Sequence, residues 1–243
     1  MPRYGTEKLH IDLKEKLKEL RIKIGRDKFQ KFCREQHLLV PRTKRCFITT
    51  DSKHFFYKSP NRIKDLLPTQ SEQVFVSDIT YIKLDEGYAY LALVTDLYSK
   101  KIMGYKLDDN MKVGMVKEAL KMAMNNRICK RDSTIHHSDR GLQYCCPDYS
   151  EFAEKNGFIL STTEKYDPYE NAVAERMNGI LKYEFGLKRI IPSLEVAIKM
   201  VDEAVYLYNN LRLHRSLQMD TPNQAHKKQK HKYATYRKEK TAA

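Results

Sequence analysis

Residues 74–82 read VFVSDITYI, and this stretch decides the fold. Its β-branched and aromatic residues predict a buried strand, so the chain has a sheet at its centre. One carboxylate, Asp78, interrupts the run, and an ionised side chain among apolar neighbours is costly unless something pairs with it. Taken alone, Asp78 is equally well a hydrogen-bonded residue at a strand edge. The choice depends on what the rest of the chain brings to it.

Downstream, Gly87 turns the chain into a second strand over 88–95, and 99–107 supplies a third. Short links between sequential strands predict an antiparallel meander. Residues 111–126 have helical spacing, 133–136 read as a short strand, 147–156 as a helix and 158–161 as a fifth strand. Two longer helical patterns follow at 169–186 and 193–210. This order predicts an α/β fold with a mixed five-stranded sheet flanked by helices.

Upstream, Leu9, Leu13, Leu17, Leu20, Ile24, Phe29 and Phe32 recur at helical intervals with a break at Gly25. They predict a small N-terminal helical segment over 1–40. Residues 41–70 lose the periodicity and read as a basic linker, with turn signals at Ser59-Pro60-Asn61 and Leu67-Pro68-Thr69. The core is expected over 71–225, with a basic tail over 226–243.

The net charge of +14 is divided unevenly. Residues 1–70 hold 18 Lys and Arg against 8 Asp and Glu, and 221–243 hold 7 against 1, while the middle is nearly neutral. Basic arms around a neutral core suit a polyanion, and nucleic acid is the common one inside cells. No apolar run reaches the length of a membrane span, and the N-terminus lacks a signal peptide's apolar segment. An intracellular protein is therefore expected.

Five cysteines, at 33, 46, 129, 145 and 146, show no Cys-x2-Cys spacing, against both a disulfide framework and a standard zinc site. Cys33, His37, Cys46 and His10 come nearest to a zinc set and are set aside.

Two further acids stand out. Asp139 sits in IHHSDRGLQY (135–144), just past the fourth strand, where open α/β sheets place ligand sites. By itself it is also a good Asp-Arg-Gly turn. Asp167, Pro168 and Glu170 mark the start of the next helix as N-cap, first position and capping-box partner. Within that helix Asn171, Glu175, Asn178 and Lys182 fall at steps of four, three and four and so share a face. Sixty residues separate Asp78 from Asp139, and 35 separate Asp139 from Glu175.

That spacing resembles the Asp-Asp-35-Glu core of retroviral integrases and insertion-sequence transposases on a ribonuclease H-like fold. The words VSDITYI, HHSDRGLQY, YDPYENAVAERMNGILKYEF and YNNLRLHRSL followed by TP resemble the OrfB-type transposases of the insertion-sequence-3 family. The resemblance spans about residues 71–224, and YGTEKL to REQHLLV resembles the helical segment ahead of such cores. Phe75 stands where that family usually has tryptophan, and Glu170 where aspartate is common.

The resemblance implies that Asp78, Asp139 and Glu175 are the catalytic acids and metal ligands, that Lys182 faces DNA beside them, and that Asn171 supports the helix bearing Glu175. The further DNA-facing set is Asn171 itself, Asn178, His137, Arg140, Arg212 and His214. Phosphodiester chemistry needs charge neutralised on both the attacking and departing oxygens, which two Mg2+ ions do, with Mn2+ able to substitute. Carboxylates are matched ligands for such hard cations. The implied reaction is transposon-end cleavage and strand transfer on double-stranded DNA. The implied partners are further copies of the chain on DNA and an upstream-frame OrfA product. Two other readings stay open: a ribonuclease H-like nuclease, and a non-catalytic DNA-binding remnant or regulator.

Overall fold

The structure, a computed structural model, describes residues 5–39, 54–129, 133–164 and 171–228. Cys46, Tyr166, the capping box at Asp167, Pro168 and Glu170, and the tail beyond 228 lie outside the described residues. The chain divides into two units, 1–48 and 49–243.

In the first unit α1 (Thr6–Asp12), α2 (Lys14–Glu19) and α3 (Arg26–Glu35) follow the expected periodicity. Gly25 precedes α3 in extended conformation, as the break in the pattern predicts. Phe29 and Cys33 are the buried residues of α3. The His10 ring lies 5.1 Å from that of Phe29, and its Nε2 is 2.9 Å from the Ile24 carbonyl. Cys33 therefore serves as an apolar core residue.

The second unit is built on five strands in the order β3-β2-β1-β4-β5. They are β1 (Val74–Lys83), β2 (Tyr88–Asp96), β3 (Ile102–Asp108), β4 (Thr134–Ser138) and β5 (Phe158–Thr162). The first three form the antiparallel meander, and β4 and β5 add in parallel, so the sheet is mixed as expected. The third strand starts at Ile102 and not at Ser99. Asp96 accepts hydrogen bonds from the Ser99 N–H and hydroxyl, and Lys100 takes a φ of 61°, so these residues make the turn.

Helices cover both faces. On one lie α4 (Val113–Asn125), the short α5 (Leu142–Cys145) and α6 (Pro147–Lys155), packing Val116, Ala119, Leu120 and Tyr149 on Phe75, Ala92 and Met103. On the other lie α7 (Ala172–Glu184) and α8 (Leu194–Asn210), packing Met177, Leu181, Val201 and Tyr208 on Ile82, Leu91 and Leu93. Each such fully buried side chain contributes on the order of 1.5–3 kcal/mol. The alternation within β1 is therefore explicit: Phe75 faces α4, and Val74 and Val76 face α7. Asp78 has the parity of Val76 and faces α7.

Two expectations about the flanks change. Residues 54–70, read as linker, are held against the sheet: Thr162 Oγ1 donates to the Ser59 carbonyl (2.6 Å), and the Arg62 N–H donates to Ser161 Oγ (2.9 Å). The tail expected from residue 226 begins instead as part of α9 (Pro222–Lys228), with His226 only 1% exposed. His226 Nε2 lies 3.1 Å from Glu72 Oε1, and its Nδ1 lies 2.9 Å from Ser99 Oγ and 3.4 Å from Asp96 Oδ2. Composition marks this segment as basic. It does not reveal that two buried carboxylates await its first residue.

Gly104 allows α4 to lie directly on β3, since a Cβ there would stand 2.1 Å from the Ala119 carbonyl oxygen and 2.5 Å from the Ala123 nitrogen. Both are backbone atoms of one helix, so relief requires the helix to move. Gly104→Ala is expected to lower stability by about 1–3 kcal/mol, as overpacking does, read from the denaturant midpoint.

Burial opposes charge on His226, but its hydrogen bonds to Asp96 and Glu72 overcome that cost and raise its pKa above the usual 6.5. A raised imidazole contributes stability that is fully present below the unfolded value and lost as pH rises through the folded one. Tm is therefore expected to fall across the alkaline side of neutrality, and His226→Gln should lower Tm at pH 6.5 and make that slope shallower. A slope unchanged in the variant would exclude His226 as its source.

Candidate active site

The parallel pairing of β1 with β4 fixes Ser77 opposite Ser138. Asp78 and Asp139 are the next residues of the two strands, so the register places two carboxylates side by side in one row. Asp139 lies where β4 gives way to α5. The Gly141 N–H donates to Asp139 Oδ1 (3.0 Å), and a Cβ on Gly141 would stand 3.0 Å from that oxygen. The turn hydrogen bond expected of an Asp-Arg-Gly sequence is present, and it orients a carboxylate that acts on the charge of Asp78.

α7 crosses this row. The Asn178 amide donates to Asp78 Oδ2 (2.8 Å), and the Asn171 amide donates to the Ser77 carbonyl (3.1 Å). Glu175, between them on the same helical face, is exposed. Burial first, then the charge of Asp139, and more weakly that of Glu175, push the Asp78 carboxyl up to about 8, against the Asn178 hydrogen bond that favours its ionised form. The three acids share one electrostatic neighbourhood.

Lys182, one turn beyond Asn178, places Nζ 4.1 Å from the centroid of the Tyr81 ring. Burial lowers its pKa, and the charge of Asp78 raises it. It is the cation that α7 brings to the acids. Arg140 follows Asp139; its Nε donates to the Thr163 carbonyl (2.5 Å), and its carbonyl lies 2.8 Å from His54 Nε2. Tyr144 of α5, not assigned a role from sequence, is buried with its hydroxyl unsatisfied and feels the charges of Asp139 and Asp78. Only its five-residue distance from Asp139 signals this.

Five residues expected to face DNA point inward instead. His137 is fully buried with Nδ1 2.8 Å from Ser161 Oγ. Its neighbour His136 is buried between Ser77 and Tyr149, and burial pushes its pKa down to about 3, so it is neutral at pH 7. Asn171 and Asn178 are spent on β1, as above. Arg212, 4% exposed, makes two hydrogen bonds to Glu184 (2.6 and 2.5 Å), and its Nη1 lies 3.0 Å from His214 Nε2. The His214 ring stands edge-on to Tyr208, 5.2 Å between centroids. These two residues tie the loop after α8 to the end of α7.

Divalent cations suit this donor set by its chemistry. The available donors are hard carboxylate oxygens, and the Asn178 carbonyl oxygen beside them is buried without a hydrogen-bond partner. Among the described residues no group of three or more His, Cys, Asp or Glu is so placed that it could hold a metal ion.

Comparisons with known proteins bear on the family and the fold. The family described as integrase core domain matches residues 68–168, and a second form of it matches 156–222. The insertion element IS600 31 kDa protein of Shigella sonnei is 33% identical over 216 residues, covering 88% of this chain and 78% of that protein. The transposase for insertion sequence element IS629 of the same species is 29% identical over 164 residues, 68% of this chain and 55% of its own length. Transposase InsF of insertion sequence IS3A from Escherichia coli K12 is 36% identical over 121 residues, 50% of this chain and 42% of its own. The chain thus spans about half the length of several relatives. Among solved structures, the HTLV-2 integrase catalytic core domain in complex with magnesium superposes with a TM-score of 0.50 at 18% identity, over 66% of this chain and 99% of that one. A simian T-cell lymphotropic virus intasome chain gives 0.54 at 20% identity, over 73% and 60%. These likenesses establish the ribonuclease H-like integrase fold. By sequence and by fold together, the chain belongs to the insertion-sequence-3 family of transposases, DDE-type enzymes built on an integrase core.

Proposed function

We propose that this chain cuts DNA at transposon ends and joins the freed ends to target DNA, with Asp78, Asp139 and Glu175 as its catalytic and metal-binding acids. One observation carries the reading: the β1–β4 register sets Asp78 beside Asp139 under the face of α7 that bears Glu175. Hydrolysis of one phosphodiester releases a 3′-hydroxyl. That hydroxyl attacks a phosphodiester of another strand, the phosphorus exchanging one oxygen ester for another. The exchange conserves the bond, so no covalent enzyme intermediate and no ATP are needed.

Two Mg2+ ions, or Mn2+ in their place, supply when bound the charge neutralisation that attacking and departing oxygens require. Asp78, Asp139 and Glu175 are the groups to hold them. Asn178 keeps the Asp78 carboxylate turned toward the site, and the Gly141 N–H does the same for Asp139. Lys182 and Arg140 are left to face phosphates. Lys182 has the ring of Tyr81 beneath it, so its ammonium stays near the acids and away from bulk water. Because one site handles one strand at a time, two DNA ends require at least two copies of the chain. An OrfA product of the upstream frame and a nucleoid location in a bacterial cytoplasm belong to the same proposal. Among the described residues no helix is long and apolar enough to cross a membrane.

The repulsion at Asp78 has a measurable sign. Its folded pKa of about 8 stands above the usual 3.8, so between these values the folded state holds the proton more tightly. In chelator, stability is therefore expected to fall as pH rises through that window, and Asp78→Asn should flatten the fall. Added Mg2+ or Mn2+ should raise Tm of the wild type, most strongly near pH 8, with little effect on the variant. Equal pH slopes in both proteins would remove the proposed crowding of charge.

The activity itself is tested by strand transfer with purified protein, Mn2+ or Mg2+ and labelled terminal DNA, comparing wild type with Glu175→Gln. Joined products from wild type and a loss of at least about a hundredfold in the variant are expected, as for removal of a group acting in the transition state. Nicking of RNA–DNA hybrids without joining would favour the ribonuclease H-like reading, and equal background in both proteins would leave DNA binding alone.

A further inference from the structure

Residues 54–58, His-Phe-Phe-Tyr-Lys, run across the sheet's β4–β5 side with strict alternation. Phe56 turns inward to the core cluster on the α4 side, and His54 Nε2 lies 2.8 Å from the Arg140 carbonyl. Lys58 folds back, its ammonium donating to the carbonyls of His54 (2.7 Å) and Phe56 (3.2 Å). Phe55 and Tyr57 turn outward and are 92% and 79% exposed, the most exposed large hydrophobic side chains among the described residues. The Phe55 ring rests against Phe56, 4.6 Å between centroids.

Exposed rings on a loose tail would carry no argument. These are displayed by backbone that is tied down at His54, Ser59 and Arg62. Basic residues accompany them at Lys58, next to Tyr57, and at Arg140, whose carbonyl meets His54. Lys58 and Arg140 act electrostatically on Cys145 together with Asp139, which places the segment beside the candidate active site. Arg62 lies further along, and Lys64 pairs with Glu164 at 3.3 Å. Two rings flanked by His54, Lys58 and Arg62 are a small apolar patch, whereas a stable protein interface buries a far wider one. Aromatic faces among cations match unpaired nucleotides, whose bases stack on the rings while their phosphates meet the charges. Paired DNA hides those base faces inside the helix.

We propose that Phe55 and Tyr57 form a stacking platform for unpaired bases at the DNA end whose phosphate lies at Asp139. This rests on the DNA-joining reading above. It adds a step to it: the end is held frayed, with its bases captured next to the reacting strand.

The test uses the full chain in chelator, so that no reaction intervenes. Two probes are compared: a blunt duplex, and the same duplex with an unpaired 3′ tail containing 2-aminopurine, whose fluorescence is quenched by stacking. Wild type should bind the tailed probe more tightly and quench it. Phe55→Ala with Tyr57→Ala should lose roughly tenfold or more of the tailed-probe affinity and the quench, with blunt-duplex binding retained. Phe55→Tyr with Tyr57→Phe should behave as wild type, since stacking needs only the rings. Equal affinities for both probes in wild type, or an unchanged quench in the alanine variant, would overturn the platform. So would altered self-association on sedimentation with the quench intact, because the rings would then serve a second copy. Wild type that quenches the tailed probe yet joins no ends once Mg2+ or Mn2+ is supplied would sink the joining reaction and leave the platform standing.

Discussion

The structure turns on a contact that a sheet would ordinarily avoid. Parallel pairing of β1 with β4 puts Asp78 and Asp139 in one row, and like charges on neighbouring strands destabilise a sheet. Three arrangements make the row tolerable. Asn178 donates to one carboxylate and the Gly141 N–H to the other, while the raised pKa of Asp78 keeps it protonated over much of the range where an ordinary aspartate is charged. Bound cations, as proposed above, would relieve this repulsion, since the oxygens that repel one another are the ones hard cations prefer. Stability given up here must be recovered elsewhere, and the apolar layers on both faces of the sheet are where it is recovered.

The sheet and its helices were legible in the sequence because their periodicities are long and regular. The meander, the two parallel strands and helices α4, α6, α7 and α8 all fall where period-two and period-3.6 patterns put them. Failures cluster where a side chain, not a pattern, sets the backbone. At Asp96–Lys101 an aspartate organises a turn inside a stretch whose composition reads as strand. At α9 a helix in a basic, tail-like segment is fixed by His226 reaching two buried acids more than a hundred residues away in sequence. No local window contains that information.

The site divides in the same way. Asp78 and Asp139 were legible as candidate site residues because charge in an apolar strand and a carboxylate after a strand end are anomalies with a local signature. The DNA contacts were not, because a polar residue near an active site looks the same in sequence whether it faces solvent or the protein. Arg212 and His214 stand in a basic, aromatic-rich word, yet Arg212 is satisfied by Glu184 and His214 lies against Tyr208. Burying that arginine is tolerable because a carboxylate meets it in two hydrogen bonds, and truncating either partner would strand the other. Its position in the chain gives no hint of Glu184, which lies 28 residues earlier on another helix.

α7 shows why polar groups, and not more leucine, hold the site together. Met177, Ile180 and Leu181 press the helix onto the sheet, but apolar contact is non-directional and leaves rotation about the helix axis weakly determined. Asn171 and Asn178 are seven residues apart, two turns of helix, and both donate to β1, at Ser77 and Asp78. Two directional bonds on one stripe fix the rotation. Glu175 lies between them on that stripe, so the two bonds that fix the rotation also set the direction in which its side chain leaves the helix. The asparagines thus do for Glu175 what the strand register does for the two aspartates. That is a positioning role, and it explains why side chains read from sequence as DNA contacts are found turned into the protein.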